Sequence, residues 1–145
     1  MSIPKLLDLL ELEKPKKPSK IVGIVVKSEG QVLLVRRSEN AGKYPNFWAV
    51  PMGHVEDGEK FIQGAHREFQ EETKLDIDIN SLVYLTTLKD SKYNRILKLY
   101  AIKLSGQPEP TLDDEHVDWG YYDSKSLPHP IEDNLRQELE LKTWV

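Results

Sequence analysis

The segment Glu59 to Thr73, "EKFIQGAHREFQEET", constrains this chain more than any other. On a helical wheel at about 100° per residue, Phe61, Ile62, Ala65 and Phe69 fall on one arc, which must cover a core. Glu68, Glu71 and Glu72 crowd beside that arc, and Glu72 falls within its edge, between Phe61 and Ala65 in angle. A helix with a merely solvated charged face has no reason to place a carboxylate there. Glu68–Glu71 and Glu68–Glu72 are i,i+3 and i,i+4 pairs of like charge, each destabilising by about 0.2–0.5 kcal/mol. Gly64 in mid-helix costs about 1 kcal/mol more relative to alanine. Local preference is overridden, as happens at functional sites. A hard divalent cation removes the repulsion, since Mg²⁺ takes oxygen ligands and shares them with substrate phosphates. Arg67, four residues before Glu71, can pair with it and orient it.

The flanks supply strands for this helix to cover. "IVGIVVKSEGQVLLVRR" is two β-branched runs around a glycine turn, which predicts a hairpin. "NFWAVPMGHV" is a short strand broken by Pro51 and Gly53. "SLVYLTTLKD" and "NRILKLYAIKL" form a second hairpin, and "SGQPEPTLDDE" a proline-marked loop. "HVDWGYYD" is a last strand, and "PIEDNLRQELELKTW" closes as a helix with Pro130 near its start. Strands, helix, strands, helix is the order of a mixed sheet covered by helices, an α/β class.

The chain has 145 residues, enough for one domain with a core of its own. At its start, Ile3, Leu6, Leu7 and Leu10 are spaced as one face of a short amphipathic helix, and "KPKKPSK" follows as an extended linker. Residues 1–19 are read as this helix and linker, and 20–145 as the domain. The helix is expected to dock on its own domain or on a second subunit of a homodimer, with a membrane surface as the lesser option. The net charge of −4 leaves no basic face for a nucleic-acid polymer. The absence of cysteine excludes disulfides and thiolate zinc sites. No apolar run approaches the roughly 20 residues that span a bilayer. The N-terminus lacks the order of a secretory signal, which makes the cytoplasm the default location.

Gly53, five residues, Glu59, seven residues, then Arg67-Glu68-Phe69-Gln70-Glu71-Glu72-Thr73-Lys74-Leu75 resembles the Nudix box, G-x5-E-x7-R-E-U-x-E-E-x-G-U, where U is bulky and apolar. One fixed position departs: Lys74 stands where the family usually has a glycine that ends the helix in a left-handed conformation. The resemblance implies an α/β/α sandwich around a mixed β-sheet. It also implies metal-dependent hydrolysis of a nucleoside diphosphate linked to a group X. Carried over, Glu68, Glu71 and Glu72 bind Mg²⁺ or Mn²⁺, the Gly53 carbonyl adds a ligand, and Glu59 and Arg67 hold loop and helix together. Metal neutralises the diphosphate charge and acidifies a water, and a carboxylate takes the water's proton. That base is a box glutamate or an acid on a later loop. "TLDDEHVDW" offers Glu115, next to the last strand, as the choice, with Asp113 and Asp114 as alternatives.

Substrate contacts are less marked. Arg36 and Arg37 end a strand and could meet phosphate, but alternation points them to opposite faces, so one at most does so. Trp48 is expected in the core. Tyr93 occupies a position where some dinucleoside-polyphosphate hydrolases of the family carry tyrosine, and Asn134 could hydrogen-bond a base. The histidines His54, His66, His116 and His129 are scattered, without zinc-site spacing. The favoured substrate is a nucleoside triphosphate, in a housecleaning role. The rivals are ADP-ribose or nucleotide-sugar hydrolysis, dinucleoside-polyphosphate hydrolysis, and a catalytically silent domain that senses a nucleotide.

Overall fold

The computed structural model of the protein describes residues 17–141. The amphipathic helix expected near the N-terminus lies outside the described residues. The strands are β1 (Ser19–Ser28), β2 (Gln31–Arg37), β3 (Trp48–Ala49), β4 (Met52–His54), β5 (Val83–Asp90), β6 (Arg95–Lys103) and β7 (His116–Tyr122). The helices are α1 (Phe61–Thr73) and α2 (Asp133–Leu141), with a 3-10 turn at Ile79–Ser81.

All seven strands join one mixed sheet with the path β3-β2-β1-β6-β5; β4 adds to β1 and β7 to β2. The β1–β6 pairing is parallel, from Ser19↔Arg95 to Lys27↔Lys103, and the other strand pairs are antiparallel. β1 is the apolar centre: Val22, Ile24 and Val26 face one side of the sheet and Val25 the other, all fully buried. On one side Ala65 and Phe69 of α1 cover Val22, Ile24, Val26 and Leu33. On the other, Leu135 and Leu139 of α2 pack with Val32, Leu34, Trp48 and Leu99. Strand alternation thus feeds two cores, and the layers are helix, sheet, helix.

Two boundaries shift from those expected. α1 begins at Phe61 rather than Glu59, leaving Glu59 in the preceding loop, where its side chain reaches back to the helix. α2 begins at Asp133: Pro130 follows a cis peptide, and Ile131 bridges to Trp48, so this stretch is tied to the sheet before the helix starts. Trp48 is buried at 8% exposure, as expected of a core residue.

Candidate active site

Arg67 organises the α1 end of the site. Its Nε and Nη2 donate to the two Glu59 oxygens at 2.8 and 3.0 Å, a bidentate fork. Nη2 also donates to the His54 carbonyl at 2.9 Å, and Nη1 to Glu68 at 2.9 Å and Glu71 at 3.2 Å. One guanidinium therefore ties the loop, the end of β4 and two helix carboxylates together. The Arg67 hydrogen bonds, with that from the Glu56 N–H, hold the Glu59 carboxyl down at about 2.

Glycine makes this packing possible at two points. A Cβ on Gly64 would lie 2.8 Å from Glu59 Oε1, so the mid-helix glycine leaves room for the carboxylate that Arg67 grips. A Cβ on Gly53 would overlap the Glu68 carboxylate itself. Glu68 thus lies directly on the β4 backbone, and burial raises its pKa against the opposing pull of Arg67. Glu71 is the exposed member, at 57% of its side chain. Glu72 is buried at 5% exposure, and one of its oxygens accepts the Met52 N–H at 3.0 Å. Burial pushes its carboxyl up to about 9; Asp113, Glu68 and Glu115 add to the rise, and the Met52 N–H opposes it.

The acidic loop reaches these residues through backbone ties. Thr111 N–H donates to the Thr73 carbonyl at the end of α1 (2.8 Å), and Ser38 N–H to the Glu115 carbonyl (2.8 Å). Glu115 lines one cleft of about 560 Å³ with Gly53, Glu68, Glu71, Glu72, Asp113 and Asp114. Its neighbour Asp113 is the better oriented: Asp113 Oδ1 lies 2.7 Å from His116 Nδ1 and accepts the Glu115 N–H at 3.1 Å. Ligand atoms of Glu72, Asp113 and His116 lie within 4.8 Å of one another. Two scattered histidines therefore belong to the site, His116 buried beside Asp113 and His54 lining the cleft. Burial and the cations Lys43, Arg95 and Arg37 lower the His54 pKa, while Glu115 raises it. No zinc-site spacing flags either histidine: His54 enters as the last residue of β4, beside Gly53, and His116 through its local turn with Asp113.

The other expected contacts divide. Arg37 lines the cleft and donates from Nε to the Lys43 carbonyl at 2.8 Å. Arg36 points elsewhere, its guanidinium 6.0 Å from the Trp48 ring, with a buried Nε that has no partner among the described residues. Tyr93 packs edge-on against Tyr44 at 5.1 Å. Asn134 donates to the Lys89 carbonyl at 3.0 Å, stapling the start of α2 to β5. Beside the cleft lies a narrow apolar cavity of about 50 Å³ walled by Tyr44, Phe47, Trp48, Leu88 and Leu135.

The carboxylates fit a hard divalent cation. All are oxygen donors, the buried Glu72 has no ion pair among the described residues, and Gly53 brings a backbone segment against Glu68.

The family model for the NUDIX domain matches residues 16–141. The chain belongs to the Nudix family. Among curated relatives, m7GpppN-mRNA hydrolase NUDT17 of Xenopus laevis is 47% identical over 55 residues, covering 37% of this chain and 19% of that protein. The chain thus spans only about a fifth of that relative's length. Nucleoside triphosphatase NudI of Escherichia coli K12 is 26% identical over 133 residues, covering 84% of this chain and 94% of that protein. The solved Nudix domain of Shewanella oneidensis NrtR, complexed with ADP ribose, superposes with a TM-score of 0.71 at 20% identity, covering 97% and 96% of the two chains. That likeness places the Nudix α/β/α sandwich on independent ground. No helix among the described residues is long and apolar enough to cross a membrane.

Proposed function

We propose that this Nudix protein hydrolyses a nucleoside diphosphate linked to X, with a nucleoside triphosphate as the first choice of substrate. The observation that carries the reading is the convergence of Glu68, Glu71 and Glu72 with the 113–115 loop in one cleft. The triphosphatase NudI, alike over nearly its whole length, supports the choice of substrate.

Glu68, Glu71 and Glu72 would hold Mg²⁺ or Mn²⁺, with the Gly53 carbonyl and an acid of the loop, Asp113 or Glu115, completing the set. Bound there, the metal offsets the phosphate charge and favours ionisation of the attacking water. The protein's own part is positioning and proton transfer. Arg67 fixes Glu68 and Glu71 relative to β4, so the carboxylates do not reorganise during the reaction. Water attacks phosphorus as the bridging P–O bond breaks. Its proton passes to a carboxylate, Glu71, Glu72 or Glu115, and the leaving phosphate departs into the open cleft. Arg37 lies on the same cleft, where it can meet the phosphate chain.

Phosphate and pyrophosphate release, measured over nucleoside triphosphates, ADP-ribose, nucleotide sugars and dinucleoside polyphosphates with Mg²⁺, Mn²⁺ or excess chelator, tests the reading. Metal-dependent release from a triphosphate is the expected result. Full activity in chelator would refute the metal role. Silence on every substrate, with nucleotide binding intact, would leave the sensing domain as the better reading.

A further inference from the structure

Two cavities meet in this molecule, and four residues line both: Ile21, Met52, Arg37 and Arg95. The two polar ones are guanidinium groups. On one side of them lies the apolar, aromatic-walled cavity; on the other, the cleft with its carboxylates. A ligand with a ring at the apolar mouth and a phosphate chain among the carboxylates would run past both Arg37 and Arg95.

Arg95 is built to stay there. Its Nε and Nη2 donate to Asp90 Oδ2 at 3.2 and 2.9 Å. Asp90 Oδ1 in turn accepts the Tyr44 hydroxyl at 3.1 Å and the Tyr93 N–H at 3.3 Å. Both Arg95 and Asp90 side chains are only 14% exposed. The guanidinium carbon stands 5.7 Å from the Tyr44 ring centre and 5.6 Å from that of Tyr93, so its long side chain has little freedom left to lose on binding. Asp90 occupies one edge of the fork, and Arg95 Nη1 has no hydrogen-bond partner among the described residues. Arg37 and Lys43 form no ion pair within 4.0 Å among the described residues, although they share the cleft with six acidic side chains. Cations that line an acidic cleft without pairing to it are placed for a third party, an anion lying between them and the metal-holding acids.

We propose that Arg95, held by Asp90 and Tyr44 at the junction of the two cavities, is a phosphate-positioning residue that with Arg37 clamps the phosphate next to the nucleoside. The proposal rests on the nucleotide reading above and adds to it a direction. The nucleoside sits towards Tyr44 and Trp48, the clamped phosphate at the junction, and the bond that breaks lies beyond it towards Glu68 and Glu72. Lysine in place of Arg95 keeps the charge but cannot grip Asp90 and phosphate together.

Two variants test this: Arg95→Lys, and the double variant Arg95→Gln with Asp90→Asn, which removes both charges and leaves no orphan carboxylate. AMP, GMP, CMP and UMP, and the four matching nucleosides, are titrated by calorimetry without metal and with Mg²⁺. The wild type should bind at least one monophosphate tenfold or more tighter than its nucleoside. Both variants should cut that ratio to threefold or less at an unchanged melting temperature. On the best triphosphate substrate, KM should rise ten- to a hundredfold with kcat within about threefold. An unchanged ratio in both variants overturns the assignment, as does equal weakening of nucleoside and nucleotide, which marks a structural role. A wild type that does not prefer the monophosphate overturns it too. Where the ratio falls as expected but no substrate is hydrolysed, the clamp stands and the hydrolase reading falls. Where hydrolysis is robust and the variants match the wild type, the reverse holds.

Discussion

At position 72 a carboxylate sits where the wheel asks for an apolar side chain, and the molecule answers by burying it. Burial pushes the folded-state pKa up to about 9, from an ordinary value of 4.5. With a raised folded pKa, the unfolded chain gives up its proton first as pH rises. Stability contributed by the protonated group is therefore fully present below about pH 4.5 and lost progressively towards pH 9. Metal-free protein should weaken across that window by at least about 1 kcal/mol, read by urea unfolding at several pH values. Glu72→Gln should flatten the curve, raise the metal-free melting temperature and reduce turnover by orders of magnitude. A second residue-scale test concerns Lys74, whose φ of 60° and ψ of 13° are the left-handed helix exit that the resemblance to the box anticipates. A lysine there bears strain that glycine does not. Lys74→Gly should stabilise the fold by about 1 kcal/mol in the same assay, and a loss of stability would contradict that account.

The element that matters most is the loop–helix unit from Gly53 to Thr73, and its logic was half legible in the sequence. The wheel placed Ala65 and Phe69 in the core and Glu72 at its edge, because periodicity reports burial directly. The resemblance to the Nudix box singled out Glu59 and Arg67. It did not explain Gly64, which looked like a plain cost in a helix; the Glu59 oxygen beneath it supplies the reason. Gly64→Ala should therefore lower activity, despite alanine's better helix propensity of about 1 kcal/mol, since the new methyl displaces Glu59 from Arg67. Steady-state kinetics beside a melting curve will separate the two effects. The loop 111–115 was legible only as acidic. Asp113 and His116, three residues apart, meet in a local turn, and the ties of Thr111 to Thr73 and of Ser38 to Glu115 hold the loop that brings the pair to Glu72; such long-range ties leave no local pattern. Arg36 and Arg37 did part to different environments as alternation requires, but which one reached the cleft depended on the fold. Glu115→Gln should lower kcat much more than it raises KM if Glu115 is the base. A near wild-type kcat at every pH would shift the base to a box glutamate.

For the molecule as a whole, metal and folding are linked. A cation that binds the folded acids and not the unfolded chain should stabilise the protein by about 2.7 kcal/mol at a hundredfold excess over its Kd. Thermal unfolding against Mg²⁺ and Mn²⁺ concentration reads this gain, which Glu72→Gln should largely abolish. The sheet adds a further consequence. Its central strand β1 pairs in parallel with β6, Ser19 beside Arg95 and Lys27 beside Lys103, with the hairpin, the acidic helix and β5 all lying between them in sequence. Parallel pairing across so much chain is slow, because the long loop must close before the contacts that reward it can form. During synthesis, then, the acidic helix emerges well before β6, the strand that completes the centre of its sheet, and before the loop that carries Asp113. A nascent chain halted before residue 95 holds the three box glutamates and the β4 backbone beneath them, but neither the β6 side chains Tyr100 and Ile102 that share the core under the acidic helix nor the 113–115 loop that lines their cleft.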